Sequence, residues 1–83
     1  MKWNYRILER KNKIKNKIYK FYEIYEVYYN KNNKITAISK DSISPGGENL
    51  KELENDIKYM SEAFQLPILK YDKIKFHKFL SEK

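Results

Sequence analysis

His77 and Asp72 are the one pairing in the sequence with the residue types for general acid–base catalysis. Such a pair must be held within hydrogen-bond reach of a substrate proton in a preformed cleft. This one lies in a lysine-rich C-terminal stretch, and His77 reads as a surface histidine. A single histidine excludes a two-histidine metal site, and the lack of cysteine removes thiolate ligands and disulfides. The carboxylates Glu52, Glu54, Asp56 and Glu62 follow one another along a single segment without converging; they read as a solvated face or an acidic contact surface. Pro45-Gly46-Gly47 offers backbone N–H groups to an anion, but no Lys-Ser/Thr follows and Glu48 would repel a phosphate. No catalytic residue, cofactor or metal is expected, and the protein reads as a non-enzyme.

Two binding chemistries remain. The first is cationic. Arg10, Lys11, Lys13, Lys15, Lys17 and Lys20 place six positive charges within residues 10–20. Closely spaced cations can track a phosphate backbone and release its counterions, so nucleic-acid binding through this segment would depend steeply on salt. The second is aromatic and apolar. Arg6, Leu8, Tyr22, Ile24, Tyr28 and Ile38 would form an exposed patch suited to a protein partner or a second copy of the chain. Tyr22 and Tyr28, beside Arg6, Lys20 and Lys40, could instead stack unpaired bases.

The elements that position these residues follow from periodicity. Lys2–Glu9 alternates with period two and predicts a strand. Arg10–Lys17, with Ile14 its one apolar residue, cannot bury a face and predicts a mobile hairpin loop. Ile18–Tyr29, dense in Tyr, Ile, Phe and Val, predicts a second strand. Asn30–Asn33 predicts a turn, because asparagine tolerates positive φ. Lys34–Lys40 predicts a third strand, ended by Pro45-Gly46-Gly47. Asn49 with Glu52 three residues on has the spacing of a capping box. Leu50, Leu53, Ile57, Met60 and Phe64 then trace one helical stripe, which Pro67 ends. Leu66–Tyr71 reads as extended, and Asp72 as the cap of a last helical turn carrying Phe76, Phe79 and Leu80.

The expected fold is therefore α+β: three antiparallel strands, or four, packed as a two-layer sandwich on one amphipathic helix. Residues 1–72 would form a single βββα domain and 73–83 a tail. Same-parity pairing would put Trp3, Tyr5, Ile7, Tyr25 and Val27 under the helix. It would leave Arg6, Leu8, Tyr22, Ile24, Tyr28 and Ile38 uncovered.

Eighty-three residues hold one small core. The net charge of +7 is unevenly placed: residues 1–40 are basic, 41–66 acidic and 67–83 basic. Lys, Ile, Tyr and Asn supply 42 of the 83 residues, a bias that AT-rich coding also produces. No apolar run is long enough to span a membrane, and the absence of cysteine points to the cytoplasm.

Trp3-Asn4-Tyr5-Arg6, Glu26-Val27-Tyr28-Tyr29, Pro45-Gly46-Gly47-Glu48-Asn49-Leu50, Ala63-Phe64 and Pro67-Ile68-Leu69 together carry a resemblance. Over residues 1 to about 72 the chain resembles a family of short bacterial and phage-type proteins without an assigned activity, which implies a fold and no chemistry. Its three strands, glycine turn and amphipathic helix look more loosely like the partial ribonuclease-H-like domain of HicB-type antitoxins. The expected function is a non-catalytic protein-binding module, most concretely a phage or mobile-element inhibitor or regulator of a host defence system. The alternative is a basic module for single-stranded RNA or DNA, or an antitoxin-like regulator.

Overall fold

The computed structural model describes residues 2–74 and is organised by one long β-hairpin. Strands β1 (Lys2–Ile14) and β2 (Lys17–Tyr29) pair antiparallel along their whole length, with Lys2 opposite Tyr29 and Ile14 opposite Lys17. The basic segment is therefore not a loop. The turn is two residues, Lys15 (φ 49°) and Asn16 (φ 69°), both in the left-handed region that a type I′ hairpin turn requires. The expectation of a loop rested on burial, and a ribbon needs none: backbone pairing laid down in the core continues outward through Ile14, Ile18, Tyr19 and Phe21.

The two-residue turn also overturns the assignment of faces. It places odd-numbered residues of β1 beside even-numbered residues of β2. One face carries Trp3, Tyr5, Ile7, Tyr22, Ile24 and Tyr28. The other carries Arg6, Leu8, Arg10, Phe21, Tyr25 and Val27. Strand β3 (Ile35–Ile38) joins the far edge of β2, with Val27 opposite Ile38 and a register shift between Tyr28 and Tyr29. The turn before it is built as asparagine chemistry predicts. The Asn30 side chain accepts from the backbone N–H of Asn32 and Lys34, and Asn33 takes φ 64°.

Helix α1 (Leu50–Ser61) starts at Asn49, whose side chain accepts from the Glu52 N–H at 2.9 Å; the Glu52 carboxylate reaches back to the Glu48 N–H. A 3-10 turn continues it over Glu62–Gln65, and Leu66 is extended, as a residue before proline must be. The predicted apolar stripe is only partly used. Met60 and Ala63 are buried and Leu53 and Asp56 half-buried, while Leu50, Ile57 and Phe64 face solvent. The helix docks through its C-terminal end, where the small Ala63 lets the backbone come close. Gly47 fixes the approach at the other end. A Cβ there would lie 2.6 Å from the Leu53 nitrogen and from Glu52 Cβ. We expect Gly47→Ala to lower stability by about 1–3 kcal/mol, as overpacking typically does, read as a drop in the urea midpoint.

Strand β4 (Leu69–Lys70) pairs with β1 in parallel, giving the order β3-β2-β1-β4. The sheet is thus mixed, not all antiparallel, because the helix crossover brings the chain back in the direction of β1. The α+β two-layer expectation holds. A 3-10 turn follows at Tyr71–Lys73, with Asp72 in its first turn; the later turn that Asp72 is expected to cap lies outside the described residues. Phe76, His77, Phe79 and Leu80 lie outside the described residues.

Ile7, Met60 and Ala63 are buried between sheet and helix, and the main buried cluster sits on the opposite face. Leu8, Tyr25, Val27 and Ile38 form it, with Tyr29, Ile35, Leu69, Tyr71 and Ile74 packed against it. The chain's own segment after β4 covers this face. Among the described residues the expected bare face is not found in the body of the sheet, where one side holds the helix and the other the Leu69–Ile74 return.

Candidate nucleic-acid interface

The apolar candidates for a protein interface do not form one patch. Leu8 (0% exposed) and Ile38 (1%) are core residues. Arg6 is a clamp on the same face: its guanidinium donates to the Tyr29 hydroxyl at 2.9 Å and to the Pro67 carbonyl at 2.8 Å, tying the segment before β4 to the hairpin. Tyr22, Ile24 and Tyr28 lie on the opposite, helix side. Tyr22 and Ile24 line a groove with Ile43, Pro45, Met60 and Phe64.

The glycine turn is not an open anion site either. The Gly46 N–H donates to the Asp56 carboxylate at 2.9 Å and the Glu48 N–H to Glu52, so two amides are satisfied by the chain's own acids. Glu54 pairs with Lys51 at 3.4 Å. Among the described residues no group of acids or histidine could hold a metal ion, and no helix is long and apolar enough to cross a membrane.

What stands clear of the body is the hairpin arm. Every residue from Lys11 to Tyr22 is exposed. At about 3.4 Å per residue the arm projects roughly 17 Å past Arg10, and the molecule as a whole extends 44 × 33 × 29 Å. Pairing sorts its side chains. Lys11 stands directly opposite Lys20, and Lys13 opposite Ile18, on the helix-facing side of the ribbon. Lys15 occupies the tip. Like charges directly opposite across a pair of strands repel; the arm itself carries no carboxylate between Arg10 and Tyr22, and the nearest on this face is Glu9 at its base, beside Lys11 and accepting from the Tyr22 hydroxyl. The reverse side carries Asn12, Ile14, Lys17, Tyr19 and Phe21, with Tyr19 and Ile14 half exposed.

Arg10 belongs to the base of the arm and not to its cationic row. Its guanidinium lies 4.0 Å from the centre of the Tyr71 ring and donates to the Tyr25 hydroxyl at 2.7 Å. Burial alone would lower its pKa; the Tyr25 hydroxyl, with Tyr71 and Glu23 close by, carries the net shift upward. The Tyr25 hydroxyl in turn donates to Glu23, whose carboxylate also accepts from Ser42. Arg10 thus pins the return segment to the hairpin. The six sequence candidates divide accordingly: Lys11, Lys13 and Lys20 form one row with Lys15 at its end, Lys17 lies behind it, and Arg10 is structural. Sequence reasoning missed the exposed aromatic reverse side. A signal was present on each strand: Lys11 and Lys13 alternate with Asn12 and Ile14, and Ile18 and Lys20 with Tyr19 and Phe21, as strands do.

Compared with models of protein families, with curated proteins and with solved structures, the chain matches none.

The tyrosines make stability depend on alkaline pH. Burial first of all raises the pKa of Tyr5, Tyr25 and Tyr28; Tyr28, which also donates to Glu26 at 2.6 Å, is pushed up to about 12. The fold favours the protonated phenol, so this stabilisation is fully present below the ordinary value of 10.0 and is lost as pH rises towards 12. The urea midpoint should fall across that window, and Tyr28→Phe should flatten part of the fall.

Proposed function

We propose that the protein is a non-catalytic binding module whose hairpin arm holds the phosphate backbone of a single-stranded nucleic acid. The observation that carries this reading is the row Lys11, Lys13 and Lys20 with Lys15 at the tip, on a fully exposed ribbon without acidic residues. Repulsion between Lys11 and Lys20 is relieved when phosphates lie between them. Tyr19 and Phe21, on the reverse side, offer rings on which bases stack. The arm is narrow enough to enter the major groove of a duplex as well, so duplex and single-stranded oligonucleotides are compared directly.

The test is a salt titration of fluorescence anisotropy with a labelled oligonucleotide. Four phosphate contacts on a single strand give a log–log slope of about −3, a loss of roughly fifty-fold in affinity between 50 and 200 mM salt. A slope near zero, or no binding at low salt, overturns the reading.

A protein partner is the second reading, favoured by the groove between the sheet and the helix. Tyr22, Ile24, Met60 and Phe64 line it, and Phe64 is 73% exposed. An inhibitor or regulator acting on a host protein would use this groove, not a bare sheet face.

A further inference from the structure

At the opposite end of the sheet from the arm, the helix-facing side holds a second feature. Trp3 and Tyr5, two residues apart on β1, present perpendicular rings (88°) with centres 5.1 Å apart. Tyr28 stacks against Trp3 at 6.1 Å and is itself held by its hydrogen bond to Glu26. Tyr59 from α1 and Leu66 face these rings across a cleft of about 450 Å³, and Glu62 and Asn4 complete its lining. Trp3 and Tyr59 are 49% and 64% exposed, so large aromatic rings border open space.

The charge in the cleft's own wall is negative: among the described residues Glu62 is its one charged member, and Asp56 and Glu26 both act on the Tyr5 hydroxyl. Lys2 and Arg6 line the neighbouring groove on the far side of Trp3, Asn4 and Leu66. Aromatic faces with one carboxylate attract a cation and disfavour an anion. A primary ammonium needs acceptors for three N–H groups. Among the described residues of the wall Glu62 is the one charged acceptor, and the Asn4 side-chain oxygen, which accepts from the Tyr29 hydroxyl, has one lone pair to spare. A cation with a methyl shell needs no acceptor and buries its carbons against the rings.

We propose that the cleft between Trp3, Tyr5, Tyr59 and Glu62 binds a methylated ammonium group. The group is carried either by a small molecule or by a methylated lysine side chain of a protein. This site is independent of the arm and stands or falls separately from nucleic-acid binding.

Trp3 is the sole tryptophan of the chain, so its fluorescence reports the site directly. The probes are choline, a short peptide containing trimethyllysine, the same peptide with unmodified lysine, and 3,3-dimethylbutan-1-ol, the neutral isostere of choline. A saturable change with choline or the methylated peptide is expected, at least tenfold weaker for the isostere and for unmodified lysine. Tyr59→Ala should abolish it and Glu62→Gln weaken it several-fold; both positions are exposed, and far-UV circular dichroism verifies that each variant is folded. Equal responses to choline and the methylated peptide assign the site to a free headgroup, and a much tighter peptide assigns it to a protein side chain. No saturable change with either cation overturns the proposal, as does an isostere or an unmodified lysine that binds equally well.

Discussion

Leu8→Asp should leave the protein without a cooperative unfolding transition, whereas Tyr22→Ala should change stability by less than about 0.5 kcal/mol. Sequence parity groups the two residues on one face, and the hairpin register separates them. Leu8 is fully buried among Tyr25, Val27 and Ile38, while Tyr22 is 54% exposed on the other side. An unpaired carboxylate in that core costs more than a domain of this size holds in reserve, since about 0.05–0.15 kcal/mol per residue is typical. The milder Leu8→Ala should still cost about 2–5 kcal/mol, because it removes packed methyl groups and leaves a cavity. Urea unfolding followed by circular dichroism reads all three variants. A cooperative Leu8→Asp protein of native stability would mean that this face is open and that the segment after β4 does not cover it.

That contrast shows what the sequence discloses and what it conceals. The turn at Asn30–Asn33 and the helix start at Asn49 were legible because their chemistry is local: an asparagine oxygen meets a backbone N–H two to four residues on. The helix was legible from its period, yet which edge of its stripe is buried was not. That depends on where Ala63 touches the sheet and on the chain's return through Leu69, which are long-range facts. The parity of the two long strands turned on a single local feature, the length of the Lys15-Asn16 turn. Charge density conceals it, because a segment that cannot bury a face can still pair its backbone. For the candidate site the outcome is similar. The cations were legible as a group, but their division into a lysine row, a rear lysine and a structural arginine needed the register.

The second large effect concerns that row. Lys11→Glu, Lys13→Glu and Lys20→Glu together should reduce affinity for a single-stranded oligonucleotide by at least about 100-fold and take about 2 off the magnitude of the salt slope. The same charge change made at Lys31, Lys34 and Lys40, which are exposed but far along the chain from the arm, should cost much less. Net charge alone would make the two triple variants equal. The triple arginine variant of the row should bind at least as well as the natural protein, because each arginine can contact a phosphate through two parallel hydrogen bonds. None of these substitutions touches the core, since residues 11–20 are exposed throughout. Thermal unfolding of the variants should therefore stay close to that of the natural chain.

The most direct test of the arm as the ligand-holding element is a titration of the isotopically labelled protein with a short oligothymidylate, followed by amide chemical shifts. The expected result is a single saturating set of shifts confined to residues 11–20 and their immediate neighbours, reversed by added salt. Shifts centred instead on the groove residues Ile24, Ile43 and Met60, or no shifts at low salt, would contradict it.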